Sequence, residues 1–240
     1  MPRPIPPPAC NTCPDLTPAI PSNRAINSSS STTTSTRRTL LQCTLWSAAW
    51  VAAPALVHPA LAQTRLVLTP RQTEGPYYPV ALPTDSDGDL LRNGTLQYAQ
   101  GQPVWVEGRV TDTAGVPLAG GVVEIWQCDT DGHYHHPADG NKAAPSFQGF
   151  GRVTLGRDGR YRFRTIRPAP YTGRTPHIHF KVRLPQRELL TTQMYVAGDP
   201  GNARDFLWNN LTAAGRAALT VPFTQSSDGP RAEFALVVQA

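Results

Sequence analysis

The stretch Thr175-Pro176-His177-Ile178-His179-Phe180 holds the side chains best placed to do chemistry. On an extended strand successive side chains alternate faces, so His177 and His179 project together while Ile178 and Phe180 point the other way, into a core. Two imidazoles on one rigid strand make half of a metal site. Candidates for the other half are Tyr171, six residues upstream of His177 in Pro168-Ala169-Pro170-Tyr171, and Tyr134 in Asp131-Gly132-His133-Tyr134. If both phenols reach the metal, two anionic oxygens plus two imidazoles suit a hard trivalent ion, and Fe(III) rather than zinc is the candidate.

Such a set needs a stiff scaffold, and the chain offers short strands punctuated by turn residues. Strands are predicted at Val104–Val110, at Gly121–Gln127, whose near-continuous apolar run implies burial on both faces, and at Gly159–Ile166. In the last of these Tyr161, Phe163 and Thr165 face inward and three arginines face outward, after an Arg157-Asp158-Gly159 turn. The His177 strand follows, then Leu190–Val196 and a closing strand at Phe234–Val238. Only Ala203–Leu211 has a short helical look. The expected fold is all-β, an antiparallel β-sandwich with long active-site loops and little helix. The loops from Cys128 to Phe150 and from Arg167 to Thr175 are long or proline-rich, as functional loops on a rigid sheet often are.

The 240 residues suffice for one ordinary domain and an appendage, and the 25 prolines are unevenly shared. Residues 1–36 are rich in Pro, Ser, Thr and Asn without apolar periodicity, a composition that reads as a disordered extension. Residues 37–62 begin with Arg37-Arg38, continue through a moderately apolar run and end at Ala60-Leu61-Ala62. That pattern resembles a twin-arginine export signal cut before Gln63, which implies a periplasmic or extracellular protein, or a cytoplasmic one if the signal does not function. Gln42, Thr44, Ser47 and Pro54 interrupt the run and argue against a stable membrane span. Residues 63–240 are then the working domain. Loss of residues 1–62 removes four arginines and Asp15, leaving 18 basic against 16 acidic residues. No basic cluster interleaved with aromatics remains, so nucleic-acid binding has little support. Cys10, Cys13 and Cys43 leave with the leader, and Cys128 alone cannot form an internal disulfide.

Taken together, these residues resemble the intradiol ring-cleavage dioxygenases, the family of protocatechuate 3,4-dioxygenase and catechol 1,2-dioxygenase. The likeness runs from Thr73-Glu74-Gly75-Pro76-Tyr77-Tyr78 to about Asn210. It is carried by Val123–Asp129 leading to Gly132-His133-Tyr134, by Gly149-Phe150-Gly151-Arg152, by Tyr161–Pro168, and by Tyr171 through Arg174 to His177-Ile178-His179-Phe180, echoed in Thr192-Gln193-Met194-Tyr195. The resemblance implies one non-haem Fe(III) per chain, ligated by Tyr134, Tyr171, His177 and His179. It implies cleavage of a catechol-type ring between its two hydroxyls with O2, to a cis,cis-muconate-type diacid. Tyr171 matches the tyrosinate that leaves the metal and can take a substrate proton, and Tyr134 the retained one. Arg174 matches the arginine that stabilises negative charge on the substrate ring, and Gln193 a glutamine of the same pocket. Only five residues separate Tyr171 from His177, a shorter loop than the protocatechuate and catechol enzymes carry and one that looks like the secreted members. The mature chain also has no room for the helical dimerisation segment of the catechol enzymes, although a homo-oligomer stays compatible with it.

Competing readings are specific. Tyr161 is expected to pack in the core, while Tyr77 and Tyr78 border either the pocket or a proline turn. His133, His135 and His136 with Asp139 could be a second metal site, but adjacent histidines point apart on an extended chain and a polar loop is preferred. Asp85-Ser86-Asp87-Gly88-Asp89 opens like a calcium loop but lacks the remaining ligands. Trp105 and Trp126 read as core residues. At the level of function, the rivals are a catalytically silent β-sandwich module that binds catechol or metal, and a zinc hydrolase, which would need a carboxylate beside the histidines.

Overall fold

The computed structural model describes residues 65–240. The expected disordered extension, the twin-arginine-like segment and the cut before Gln63 lie outside the described residues.

Two short strands, β1 (Arg92–Asn93) and β2 (Leu96–Gln97), pair as a hairpin and precede β3 (Pro103–Thr111) and β4 (Val122–Trp126). A 3-10 turn at Pro137–Asp139 punctuates the long loop to β5 (Phe150–Thr154), after which come β6 (Arg160–Ile166), β7 (His177–Leu184) and β8 (Arg187–Val196). A second 3-10 turn at Asn202–Arg204 leads into α1 (Phe206–Asn209) and α2 (Ala213–Leu219), followed by β9 (Thr220–Val221), β10 (Arg231–Glu233) and β11 (Leu236–Val237).

One sheet is centred on β3, with β6 antiparallel on one side and β10 and β11 parallel on the other. The second runs β5-β4-β7-β8-β9, antiparallel except for the final β8–β9 pair. The long pairings are therefore antiparallel, as expected. The short parallel ones are edge additions reached by long connections, which no hairpin turn constrains.

The two sheets bury one another's inner faces. Val104, Val106, Val110 and Phe163 come from the first, and Val123, Ile125, Ile178, Phe180, Val182 and Met194 from the second. Tyr161 on β6 meets Phe180 on β7 across the sandwich at 5.9 Å between ring centroids, and Phe180 meets Phe234 at 5.0 Å. The Tyr161 hydroxyl donates to the Phe234 carbonyl, so this tyrosine is a core residue, as its alternating strand implied. The helix α2 was not anticipated. Ala213-Ala214-Gly215-Arg216-Ala217-Ala218-Leu219 carries no apolar stripe, and the helix is started by Thr212, whose hydroxyl accepts from Gly215 N at 3.1 Å. Among the described residues no helix is long and apolar enough to cross a membrane.

Gly108 is the tightest point of the sandwich. A Cβ there would sit 2.1 Å from the Phe234 carbonyl oxygen. Gly108→Ala should therefore part β3 from the chain after β10 and break the Tyr161 hydrogen bond, lowering the unfolding free energy by at least the ~1–3 kcal/mol typical of overpacking. A thermal unfolding midpoint equal to the parent's would contradict this.

Candidate metal centre

The register of the second sheet gathers the chemistry on one face. Residues directly opposite one another on paired strands share a face. Trp126 of β4 lies opposite His179, Gln193 of β8 lies on its other side, and Tyr195 lies opposite His177. With Ile178, Phe180 and Val182 turned into the core, His177, His179 and Lys181 occupy the face away from it.

Both imidazoles are buried and neutral. Burial, reinforced by the Arg174 cation, pushes His177 down to about 3, and burial beside His177 drives His179 well below its ordinary value. His177 Nδ1 donates to the Thr175 carbonyl at 2.6 Å, which leaves Nε2 with its lone pair exposed to the site. The two Nε2 atoms face each other at 3.1 Å. The Trp126 indole lies flat on His179, with centroids 4.7 Å apart and planes 10° from parallel, and so fixes the ring's orientation.

The two tyrosines arrive on loops. Tyr134 follows β4, where the Asp129 carboxylate accepts from Asp131 N and His133 N at 3.0 Å and from Ala144 N at 2.8 Å. Asp139 accepts from Tyr134 N at 2.8 Å. Tyr171 comes from the loop between β6 and β7. Gly132, at φ +82°, lets the two loops touch, because a Cβ there would lie 2.9 Å from the Pro170 carbonyl oxygen. Ring centroids are 5.4 Å apart for Tyr134 and Tyr171, 5.3 Å for Tyr171 and His177, and 6.3 Å for Tyr134 and His179. The Tyr134 hydroxyl is buried without any hydrogen-bond partner, as is His179 Nδ1. Burial raises both phenols above their usual range, that of Tyr134 far more, whereas Arg174 offsets part of the effect at Tyr171.

Arg174 spans the site's other wall. Its Nε donates to Asp205 Oδ2 at 2.7 Å, Nη1 to the Tyr171 hydroxyl at 3.3 Å and Nη2 to Gln193 Oε1 at 2.6 Å. Gln193 Nε2 donates to the Thr73 carbonyl at 3.0 Å, and its Oε1 also accepts from the Tyr195 hydroxyl at 3.2 Å. Cavities flank the cluster on two sides. One of about 220 Å³ is lined by Tyr77, Trp126, Tyr134, His135 and Phe150, and one of about 390 Å³ by Pro170, Gly173, Arg174, Arg204 and Asp205.

All six residues singled out from the sequence thus lie in one cluster, Tyr134, His177, His179 and Gln193 buried and Tyr171 and Arg174 half-buried. The donor set fits a metal ion. Two neutral imidazole lone pairs and an orphaned buried phenol are what a cation would satisfy. Among the described residues no group of three or more His, Cys, Asp or Glu could hold a metal, and the two tyrosines are the side chains beside the imidazoles that could add oxygen donors.

The structure also resolves the competing readings. Tyr77 borders the site, its ring stacked on Tyr134 at 4.5 Å. Tyr78 donates to buried Glu124 at 2.8 Å behind Trp126. The loop histidines point apart: His133 Nδ1 pairs with Asp139 at 3.2 Å, His135 Nε2 contacts the Phe147 carbonyl at 2.5 Å, and His136 Nδ1 accepts from Ala138 N at 3.1 Å. Carboxylates of the acidic run serve turns, as where Asp85 accepts from Gly94 N at 2.6 Å and Asp87 from Asp89 N at 2.8 Å. Trp126 is buried, as read, in the smaller apolar cluster with Tyr134 and Phe150, whereas Trp105, also read as core, is only half-buried, with the Arg162 guanidinium 3.7 Å from its ring centroid. Asp205 and Tyr195 went unassigned. The signal for Asp205 was an N-cap before a short helix, which says nothing of the arginine 31 residues earlier.

A profile of the family described as dioxygenase matches residues 73–239. The chain is 34% identical over 196 residues to the protocatechuate 3,4-dioxygenase beta chain of Burkholderia cepacia, covering 73% of this chain and 83% of that one. It is 35% identical over 173 residues to the 6-chlorohydroxyquinol 1,2-dioxygenase of Cupriavidus pinatubonensis, covering 65% and 58% respectively. Among solved structures, the dioxygenase domain of a dioxygenase–carbohydrate-binding fusion from Streptomyces sp. SirexAA-E superposes with a TM-score of 0.58 at 34% identity, over 72% of this chain and 99% of that one. The chain spans about half the length of the first curated relatives it matches, between 48% and 58%.

Proposed function

We propose, from the premise that this chain belongs to the intradiol ring-cleavage dioxygenases, that it opens a catechol-type aromatic ring between its two hydroxyls with O2. The observation that carries the reading is the buried quartet of Tyr134, Tyr171, His177 and His179, with an unpartnered phenol and two facing imidazole nitrogens. These four would hold one ferric ion. When bound, that ion would supply Lewis acidity to a diol chelated through both oxygens and make its ring reactive toward O2.

The chain's own residues do the rest. His177 is kept in the tautomer that offers Nε2 by its bond to the Thr175 carbonyl. Trp126 and Tyr77 stack on His179 and Tyr134 and keep the donors from turning away. Tyr171, the less buried of the two tyrosines, is the one placed to move, and its Oη, ionised if it serves as a ligand, would be the atom that takes a substrate hydroxyl proton. Arg174 Nη1, already directed at that oxygen, then faces the anionic ring. The proposal includes export, for which the twin-arginine-like segment is the support.

Iron-loaded protein should consume O2 with catechol, hydroxyquinol or protocatechuate and release a ring-opened diacid. Saturable catechol binding without oxygen uptake by any of the three would favour the silent binding module instead. A zinc hydrolase finds no support, because Asp205 is committed to Arg174 and a helix cap, and Asp139 to Tyr134 N and His133.

A further inference from the structure

We propose that Asp205 is a positioning residue for the reaction, holding the Arg174 guanidinium edge-on so that both Nη atoms are aimed into the site. The inference rests on the charge-stabilising role of Arg174 given above.

Asp205 sits at the N-cap of α1 and its side chain is fully buried. Its two oxygens divide their work. Oδ1 accepts from Leu207 N and Trp208 N, each at 3.0 Å, and caps the helix. Oδ2 accepts from Arg174 Nε at 2.7 Å and from Thr175 N at 3.0 Å. Four donors thus fill the carboxylate, so it cannot rotate without breaking several bonds at once. Although burial works against the charge, the Trp208 N–H and Arg174 hold the carboxyl below its usual range.

The consequence for Arg174 is geometric. A guanidinium is a planar fork, and clamping Nε fixes the directions of Nη1 and Nη2. Those directions lead to the Tyr171 hydroxyl at 3.3 Å and to Gln193 Oε1 at 2.6 Å. Without the clamp, Arg174 could swing toward the 390 Å³ cavity that it lines with Arg204 and Pro170, away from the tyrosine.

The test is a double-mutant cycle on the iron-loaded full chain, with kcat and KM from oxygen uptake, iron content and thermal midpoint for each variant. Asp205→Asn should lower kcat about tenfold with KM changed less than threefold and with iron retained. In an Arg174→Ala background the same substitution should change kcat less than twofold, because the group it positions is gone. Thr212→Ala, which removes the cap of α2 and touches nothing in the site, should lower the midpoint without lowering kcat. If Asp205→Asn does not fold, Asp205→Ser keeps a capping oxygen while losing reach to Arg174, and the same outcomes apply. Equal losses of kcat with and without Arg174, or an undiminished kcat in Asp205→Asn, would overturn the proposal. An undiminished kcat in Arg174→Ala would instead remove the reading of Arg174 itself, and Asp205 with it.

Discussion

Replacing Tyr134 by phenylalanine should abolish iron retention and turnover together while making the metal-free protein no less stable. The two halves of this expectation have opposite signs and one cause. In the structure the Tyr134 hydroxyl is buried and bonded to nothing, and an unsatisfied buried polar group costs about 1–3 kcal/mol. Removing it without changing the ring's shape relieves that cost, so the apo protein's midpoint should stay or rise. The ring's packing against Tyr77 at 4.5 Å is unaltered. With iron the balance reverses. Even outer partners of metal ligands change affinity by about 10–100-fold when removed, and loss of a ligand should exceed that. Iron content by elemental analysis and the tyrosinate-to-metal absorption band report the first half, and thermal unfolding with and without iron reports the second. His179→Ala should match the first half only, since it also opens a gap beneath Trp126. Either variant retaining stoichiometric iron at the parent's rate would refute its ligand role.

Arg174→Ala should leave iron bound and lower kcat by ~10²–10³-fold, the usual effect of losing a preorganised donor aimed at developing charge. Some stability will go as well, because Asp205 is left buried without its cation. The informative companion is Arg174→Lys. It keeps the charge but cannot occupy Asp205, Tyr171 and Gln193 at once, since those contacts use three nitrogens of one planar fork. If orientation matters beyond charge, Lys should recover less than half of the logarithmic loss. A rate unchanged in Arg174→Ala would show that the arginine is structural.

Much of this was readable because strand periodicity and residue type are local properties. The alternation of Tyr161, Phe163 and Thr165 with arginines placed β6, and the His177–Phe180 alternation told the site face of β7 from its core face, before any packing was known. Elements without a period were missed. Ala213–Leu219 has no stripe, and Phe150–Thr154 gave no clean alternation to mark β5. Trp126 was rightly read as buried, but a buried strand looks alike on both faces, so its neighbours could not be told. Only its register opposite His179 shows that this buried indole packs on the histidine.

From its sequence alone the protein's family was legible as a resemblance, and the sandwich class and six candidate site residues could be named, since side-chain alternation and donor type are written along the chain. Tertiary structure decided how those members are held. It brought Asp205 to Arg174 across 31 residues, Tyr77 onto Tyr134 and Trp126 onto His179. It also showed that the Tyr134 hydroxyl has no protein partner. Such facts depend on sheet register and on loop paths closed by distant contacts. No local rule of side-chain direction reaches across the gaps between those segments, so only the folded chain could supply them.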